Sequence, residues 1–241
     1  MVTPHLQPMA ASTSSKGPNG TEESQRLLSE ALVAGLVAAA LALVLFSWLG
    51  REILTGVTLV LDDRLRGAVH SWSSPGLTKV MIAASRYGGP AWLAPIGVVL
   101  SVAFLIRGWR RGALLVIVTM AGAGLLDTLL KLTFARVRPA AFFDYPLPVS
   151  HSFPSGHAFF SASFFGGLAV LLSGRVRSQP LRGLVWLVAV GLILLIGVSR
   201  IYLGVHYPSD VLAGYAAAII WVAAVALGDR LASHRRRRRP A

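Results

Sequence analysis

At 241 residues, 54% hydrophobic and only 14% charged, with a mean hydropathy of +0.64, the chain is too apolar for an ordinary soluble domain and reads as a single polytopic membrane domain. Its net charge of +13 is scattered through the segments between apolar runs, which argues against nucleic acid as a partner and for a record of membrane orientation. It has no cysteine, which excludes thiol catalysis, cysteine-ligated zinc and disulfides.

Residues 1–28 are rich in Ser, Thr, Pro, Gly and Gln without apolar periodicity, and are expected to form a disordered tail. No cleaved signal peptide is expected, because the first apolar run begins only near Ala31 and is long. Asn19-Gly20-Thr21 is a glycosylation sequon without meaning in a cytoplasmic tail. Residues 31–49 are uncharged and long enough to be the first span. Across 51–89, Asp62, Asp63, Arg64 and Arg66 sit among Leu59, Leu61, Leu65 and Val69 at helical spacing. This predicts an amphipathic helix lying on the membrane surface, with Trp72 at the interface. Residues 77–84 are apolar but few, and Gly88-Gly89-Pro90 separates them from the second span, 91–106, which can extend upstream past that break.

A basic hairpin carrying Arg107, Arg110 and Arg111 leads into the third span, 112–130. Residues 140–153 form a loop, and 158–172 make a fourth span that is short unless its helix begins at Ser155. Arg175, Arg177 and Arg182 fill the next turn; 183–198 and 211–228 are the fifth and sixth spans, and Arg235 to Arg239 close the chain. The expected organisation is a cytoplasmic tail over 1–28, a membrane domain over 29–230 and a basic cytoplasmic tail over 231–241. With six spans, the loops 107–111 and 174–182 share one face with both termini. Their arginines make that face cytoplasmic.

Three polar islands lie on the opposite, outer face: Lys131 to Pro139, Pro154 to His157, and Ser199 to Asp210. A charge at the edge of a span costs a few kcal/mol, so each needs a reason. Arg200 is an anion-binding fork, His206 can be a neutral nucleophile near pH 7, and Asp210 can hold that imidazole in one tautomer. Pro208 suits the first turn of a helix that places Asp210 within reach of His206 just outside it. Asp127 and Lys131, at i and i+4, share a helical face, either as a structural ion pair or with Asp127 orienting Lys131 toward a phosphate. Ser155 and Gly156 stand where the fourth helix should begin, as an N-cap and as a source of free N–H groups for an anion. His151 matches no pattern and is read as a bystander, and Arg136 as an interfacial arginine reaching for water, a reading that Arg138 and Arg200 taken alone also allow. Beyond residue 63 the acids are Asp127, Asp144, Asp210 and Asp229, too dispersed for a two-metal site, so chemistry without metal or cofactor is expected.

Taken in order, Lys131-x6-Arg138-Pro139, Pro154-Ser155-Gly156-His157 and Ser199-Arg200-x5-His206-x3-Asp210 resemble the signature of the type 2 phosphatidic acid phosphatase family, membrane lipid phosphatases related to vanadium haloperoxidases. The resemblance covers roughly 112–228. Nothing follows from it for the first hundred residues; the six apolar runs predict an all-α polytopic membrane protein, and the resemblance implies a helical-bundle phosphatase core within it and a lipid phosphate or diphosphate substrate whose tail stays in the bilayer. In the mechanism it implies, Lys131, Arg138, Ser155, Gly156 and Arg200 hold the phosphate. His206, oriented by Asp210, attacks phosphorus, and His157 protonates the leaving oxygen and then activates water. Transfer to another lipid or sugar hydroxyl, or lipid transport without chemistry, are the alternatives. A bacterial plasma membrane fits the arginine-rich loops.

Overall fold

The computed structural model describes the backbone of residues 18–237 and the side chains of 32–233. Among these residues all regular structure is helical: α1 (Pro18–Thr55), α2 (Leu59–His70), α3 (Pro75–Tyr87), α4 (Pro90–Ile106), α5 (Arg110–Phe134), α6 (Gly156–Ser173), α7 (Gln179–Tyr202) and α8 (Pro208–Arg237). Five of them (α1 over Leu32–Thr55, α5, α6, α7, and α8 over Pro208–Ser233) are long and apolar enough to cross a bilayer. The pair α3 and α4, bent by 50° at Gly88-Gly89, is long and apolar enough only when taken together, and gives a sixth crossing if it counts as one broken span. The protein is therefore an all-helical polytopic membrane protein.

The outward faces are apolar, as lipid requires: Leu41, Val44, Val99, Ile106, Leu132 and Leu187 are all exposed. The centre of the bundle is α6, which packs against α8, α7, α5 and α4. Its sequence explains this place. Ala158, Ser161, Ala162, Ser163, Gly167 and Ala169 let neighbouring backbones come close, which is how helices associate where no hydrophobic driving force separates them from lipid. The α8 contact is the tightest, since a Cβ on Gly214 would stand 2.7 Å from the Ser155 carbonyl.

Two expectations need correction. The disordered tail was drawn to residue 28, but α1 begins at Pro18. Glu22, Glu23, Gln25, Arg26, Leu27 and Leu28 are good helix formers and continue the span backward; residues 1–17 lie outside the described residues. The amphipathic helix exists as α2, but part of its polar face turns inward, away from water. Asp62 is 3% exposed and packs toward the first turn of α8, while Asp63 on the next position stays outside. Trp72 is exposed, as its interfacial reading requires.

Contacts divide the chain into a short unit ending at Val37 and a main unit from Ala38 onward, and every residue of the site below belongs to the second.

Candidate active site

Connectivity brings the C-terminal ends of α5 and α7 to the N-terminal ends of α6 and α8, so all three polar islands share one end of the bundle. The connections are tied by backbone. Ala135 takes a left-handed conformation (φ 46°) that ends α5, Ser152 N–H donates to the Arg136 carbonyl at 2.9 Å, and Phe142 N–H to the Leu203 carbonyl at 2.9 Å. Gly204, at φ 75°, makes the turn after α7, and a Cβ there would lie 2.6 Å from the Phe142 nitrogen. Arg66 of α2 donates to both connections, at 2.7 Å to the Ala140 carbonyl and 3.0 Å to that of Gly204.

His206 is 1% exposed, just before Pro208 starts α8. Arg138 Nη1 lies 2.9 Å from its Nε2. A guanidinium only donates, so Nε2 carries the lone pair and Nδ1 the proton. That proton faces Asp210 Oδ2 at 3.3 Å, four residues on. Burial pushes the His206 imidazole down to about 3, with Asp210 pulling the other way and Arg138 and Arg200 assisting the fall. At neutral pH it is an uncharged base with its lone pair directed to the side where the arginines stand.

The other predicted residues gather around it. Lys131 Nζ donates to Asp127 Oδ2 at 2.7 Å, and both press on the start of α6: a Cβ on Gly156 would meet Nζ at 2.9 Å. Ser155 does begin α6, but its side chain caps nothing; its Oγ is buried without a hydrogen-bond partner, while its N–H donates to the Asp210 carbonyl at 2.9 Å. Arg200 is 2% exposed; Nη1 donates to Ser85 Oγ of α3 and its Nε has no partner. His157 lies over the α3–α4 bend, within 2.6 Å of where a Cβ on Gly89 would be, and feels the charges of Arg200, His206, Lys131 and Arg138. Arg138 is more constrained than a simple phosphate ligand. All its N–H groups are used, on the carbonyls of Ser150, His151 and Val205, on Ser150 Oγ and on His206. It clamps two loops, one through Ser150 and His151 and one through Val205, as well as facing His206.

The sequence reading of Arg136 is overturned. Its side chain is 7% exposed, and it bonds Asp210 Oδ1 at 2.7 Å, Ser209 Oγ and Asp62 Oδ2 at 2.8 Å, with its guanidinium 4.1 Å over the Tyr207 ring. Burial works against its charge, but the Asp210 and Asp62 carboxylates prevail and raise its pKa. Ser152, which donates to Asp210 Oδ2, and Ser85 and Tyr145, which bond each other at 3.3 Å beside Arg200, were also missed. No local signal marks them, because each partner lies far along the chain. His151 is exposed and lends only its carbonyl to Arg138.

Such a constellation, a neutral buried imidazole among fixed cations at one end of a spanning bundle, belongs to an integral membrane protein that handles anions at the membrane surface. Residues 112–231 match the family model described as the PAP2 superfamily, and the chain belongs to that superfamily. It is 29% identical over 179 residues to phosphatidylglycerophosphatase B of Bacillus subtilis, covering 73% of this chain and 86% of that one. It is 34% identical over 153 residues to a lipid A 1-phosphatase of Rhizobium etli, covering 54% and 62%. The crystal structure of a transmembrane PAP2 type phosphatidylglycerolphosphate phosphatase from Bacillus subtilis superimposes with a TM-score of 0.71 at 29% identity, over 80% of this chain and 96% of that one.

Proposed function

We propose that the protein hydrolyses a lipid phosphate or diphosphate through a phosphohistidine on His206. The observation that carries this reading is the tautomer. Arg138 on Nε2 and Asp210 on Nδ1 keep the Nε2 lone pair on the side of the arginines, where only a hydrogen bond from Arg138 occupies it, and two other motif groups, Ser155 Oγ and Arg200 Nε, are buried without partners. A phosphoryl group would supply the missing acceptors. Its oxygens would take Ser155 Oγ, the Gly156 N–H, Lys131, Arg200 and one N–H released by Arg138. Charge that spreads over those oxygens in the transition state is then neutralised by groups already in place.

In the first step a bond forms from Nε2 to phosphorus while the bond from phosphorus to the lipid oxygen breaks, and His157 gives that oxygen its proton. In the second, His157 takes a proton from water, whose oxygen attacks phosphorus; phosphate leaves and His206 is restored. Asp210 balances the positive charge that the ring carries between the steps. The membrane end of the site suits a substrate whose tail remains in the bilayer; the relatives' names point to phosphatidylglycerol phosphate and lipid A phosphates, and phosphatidic acid and undecaprenyl diphosphate are lipid phosphates of the same chemical class.

Metal-free chemistry is part of the proposal. Among the described residues no three His, Cys, Asp or Glu side chains converge as ligands. Phosphate release from those four lipids, measured on purified protein with and without chelator, tests both points. Release that survives chelator and is lost in His206→Ala is expected. No release from any of them overturns the phosphatase reading, and loss in chelator restored by a divalent ion overturns the metal-free one.

A further inference from the structure

Asp62 lies on α2, outside the stretch matched by the family model, and Arg136 lies off the motif pattern, yet both lead to Asp210. Three donors converge on a single oxygen of that carboxylate. Oδ2 takes Ser152 Oγ, the Tyr207 N–H at 2.9 Å and His206 Nδ1 at 3.3 Å, the last being the longest. A carboxylate turns easily about its Cβ–Cγ bond, and a turn that favoured Ser152 and Tyr207 would take Oδ2 away from the histidine. What opposes that turn is the contact on Oδ1, where Arg136 Nη1 donates at 2.7 Å.

Arg136 is itself held rigid. Nη1 also reaches Ser209 Oγ at 2.8 Å, Nη2 reaches Asp62 Oδ2 at 2.8 Å, and the Tyr207 ring lies under the guanidinium. Asp62 completes the frame by accepting the Ser209 N–H at 2.9 Å and Ser209 Oγ at 2.5 Å, so it grips the first turn of α8, which carries Asp210. Arg136 thus stands between two buried carboxylates and fixes the plane of one against the other.

We infer that Asp62 and Arg136 are positioning residues, which set the rotation of the Asp210 carboxylate and through it the aim of His206. The inference rests on the proposed role of His206 as nucleophile. A mere structural tie between α2 and α8 would cost folded protein, but would leave turnover unchanged in the molecules that fold.

The test compares Arg136→Gln, Arg136→Lys and Asp62→Asn with the wild type, each purified in detergent and shown to be folded by size-exclusion and thermal midpoint. On p-nitrophenyl phosphate and phosphatidic acid, kcat of Arg136→Gln should fall by about 10–100-fold with KM unchanged, the range typical of groups one layer behind a working side chain. Asp62→Asn should lose less, and Arg136→Lys should regain part of the loss, as a point charge without the fork. A second readout needs no turnover. In ¹⁵N-histidine NMR the Nδ1 proton of His206, assigned by its loss in His206→Ala, should move upfield in Arg136→Gln as its bond to Asp210 lengthens.

Unchanged kcat and an unshifted Nδ1 proton in folded variants would overturn the inference. If the wild type itself releases no phosphate, the proposed function fails and the NMR shift alone decides the positioning role. If Arg136→Gln is not recovered folded, Asp62→Asn carries both readouts, and wild-type values in it overturn the inference.

Discussion

His157, in the first turn of α6, and His206, in the turn before α8, lie at the same end of the bundle, and their proposed roles separate by what the leaving group needs. A lipid alkoxide requires a proton, whereas nitrophenolate departs largely unaided. His157→Ala should therefore lose about 10²–10⁴-fold on phosphatidic acid and much less on p-nitrophenyl phosphate, while His206→Ala should lose both, since no covalent intermediate can form. Steady-state rates on the two substrates check this, and the opposite pattern would exchange the roles. The burial of His206 has a separate consequence for stability. Its folded pKa, about 3, lies below the ordinary value near 6.5, so between those limits the unfolded chain binds the proton and the folded one does not. The stabilising difference is complete above about 6.5 and is lost as pH falls toward 3, by at most about 1.4 kcal/mol per pH unit. The thermal midpoint of the wild type should accordingly drop more steeply from pH 7 to 5 than that of His206→Gln. Equal slopes would mean that His206 takes up its proton at the same pH in the folded and the unfolded chain.

Among the elements, the bend between α3 and α4 does more than shorten a span. Ser74 caps α3, accepting the Leu77 N–H at 3.3 Å, and Pro90 opens α4, so Gly88 and Gly89 are left as the joint. Gly89 has φ −83°, which alanine adopts without strain; what alanine would meet is the His157 ring, 2.6 Å from its Cβ at the nearest atom. A ring at the end of a side chain can swing aside, so Gly89→Ala should fold with a thermal midpoint close to the wild type. Its cost should be catalytic. Displacing His157 by about 1 Å should cost on the order of 10²-fold on phosphatidic acid, with little effect on p-nitrophenyl phosphate, if His157 is the general acid proposed above. Equal losses on both substrates would place the damage elsewhere, at His206 or the cations. The N-terminal helices α2 and α3 also serve the arginines, since Ser85 of α3 takes Arg200 and Asp62 of α2 takes Arg136.

For the whole molecule, the basic loops at one end of the bundle and the site at the other predict that the active site faces outward. The chain has no native cysteine, so single cysteines report cleanly. Val149, fully exposed in the loop beside the site, and Ser178, exposed in the turn before α7, stand at opposite ends. On intact cells a membrane-impermeant thiol reagent should label Val149→Cys and spare Ser178→Cys; the reverse would turn the protein over and place substrate entry in the inner leaflet.

The crossings, the three polar islands, and the pairs Asp127–Lys131 and His206–Asp210 could all be read from the chain, because hydropathy and helical spacing act over a few residues and need no knowledge of the fold. The same reasoning misplaced Arg136 and Asp62. Periodicity shows that α2 has a polar face, but not whether that face meets water or another helix, and 74 residues separate Asp62 from the arginine that neutralises it. Likewise Gly88-Gly89-Pro90 announced a break without revealing that His157 occupies the space. By itself the sequence determined which segments enter the membrane and which polar groups must be sheltered there, since lipid penalises each residue individually. Which carboxylate faces which arginine was decided only by the packing of α2 and α3 against α7 and α8, because pairing between distant charges depends on the path of the whole chain.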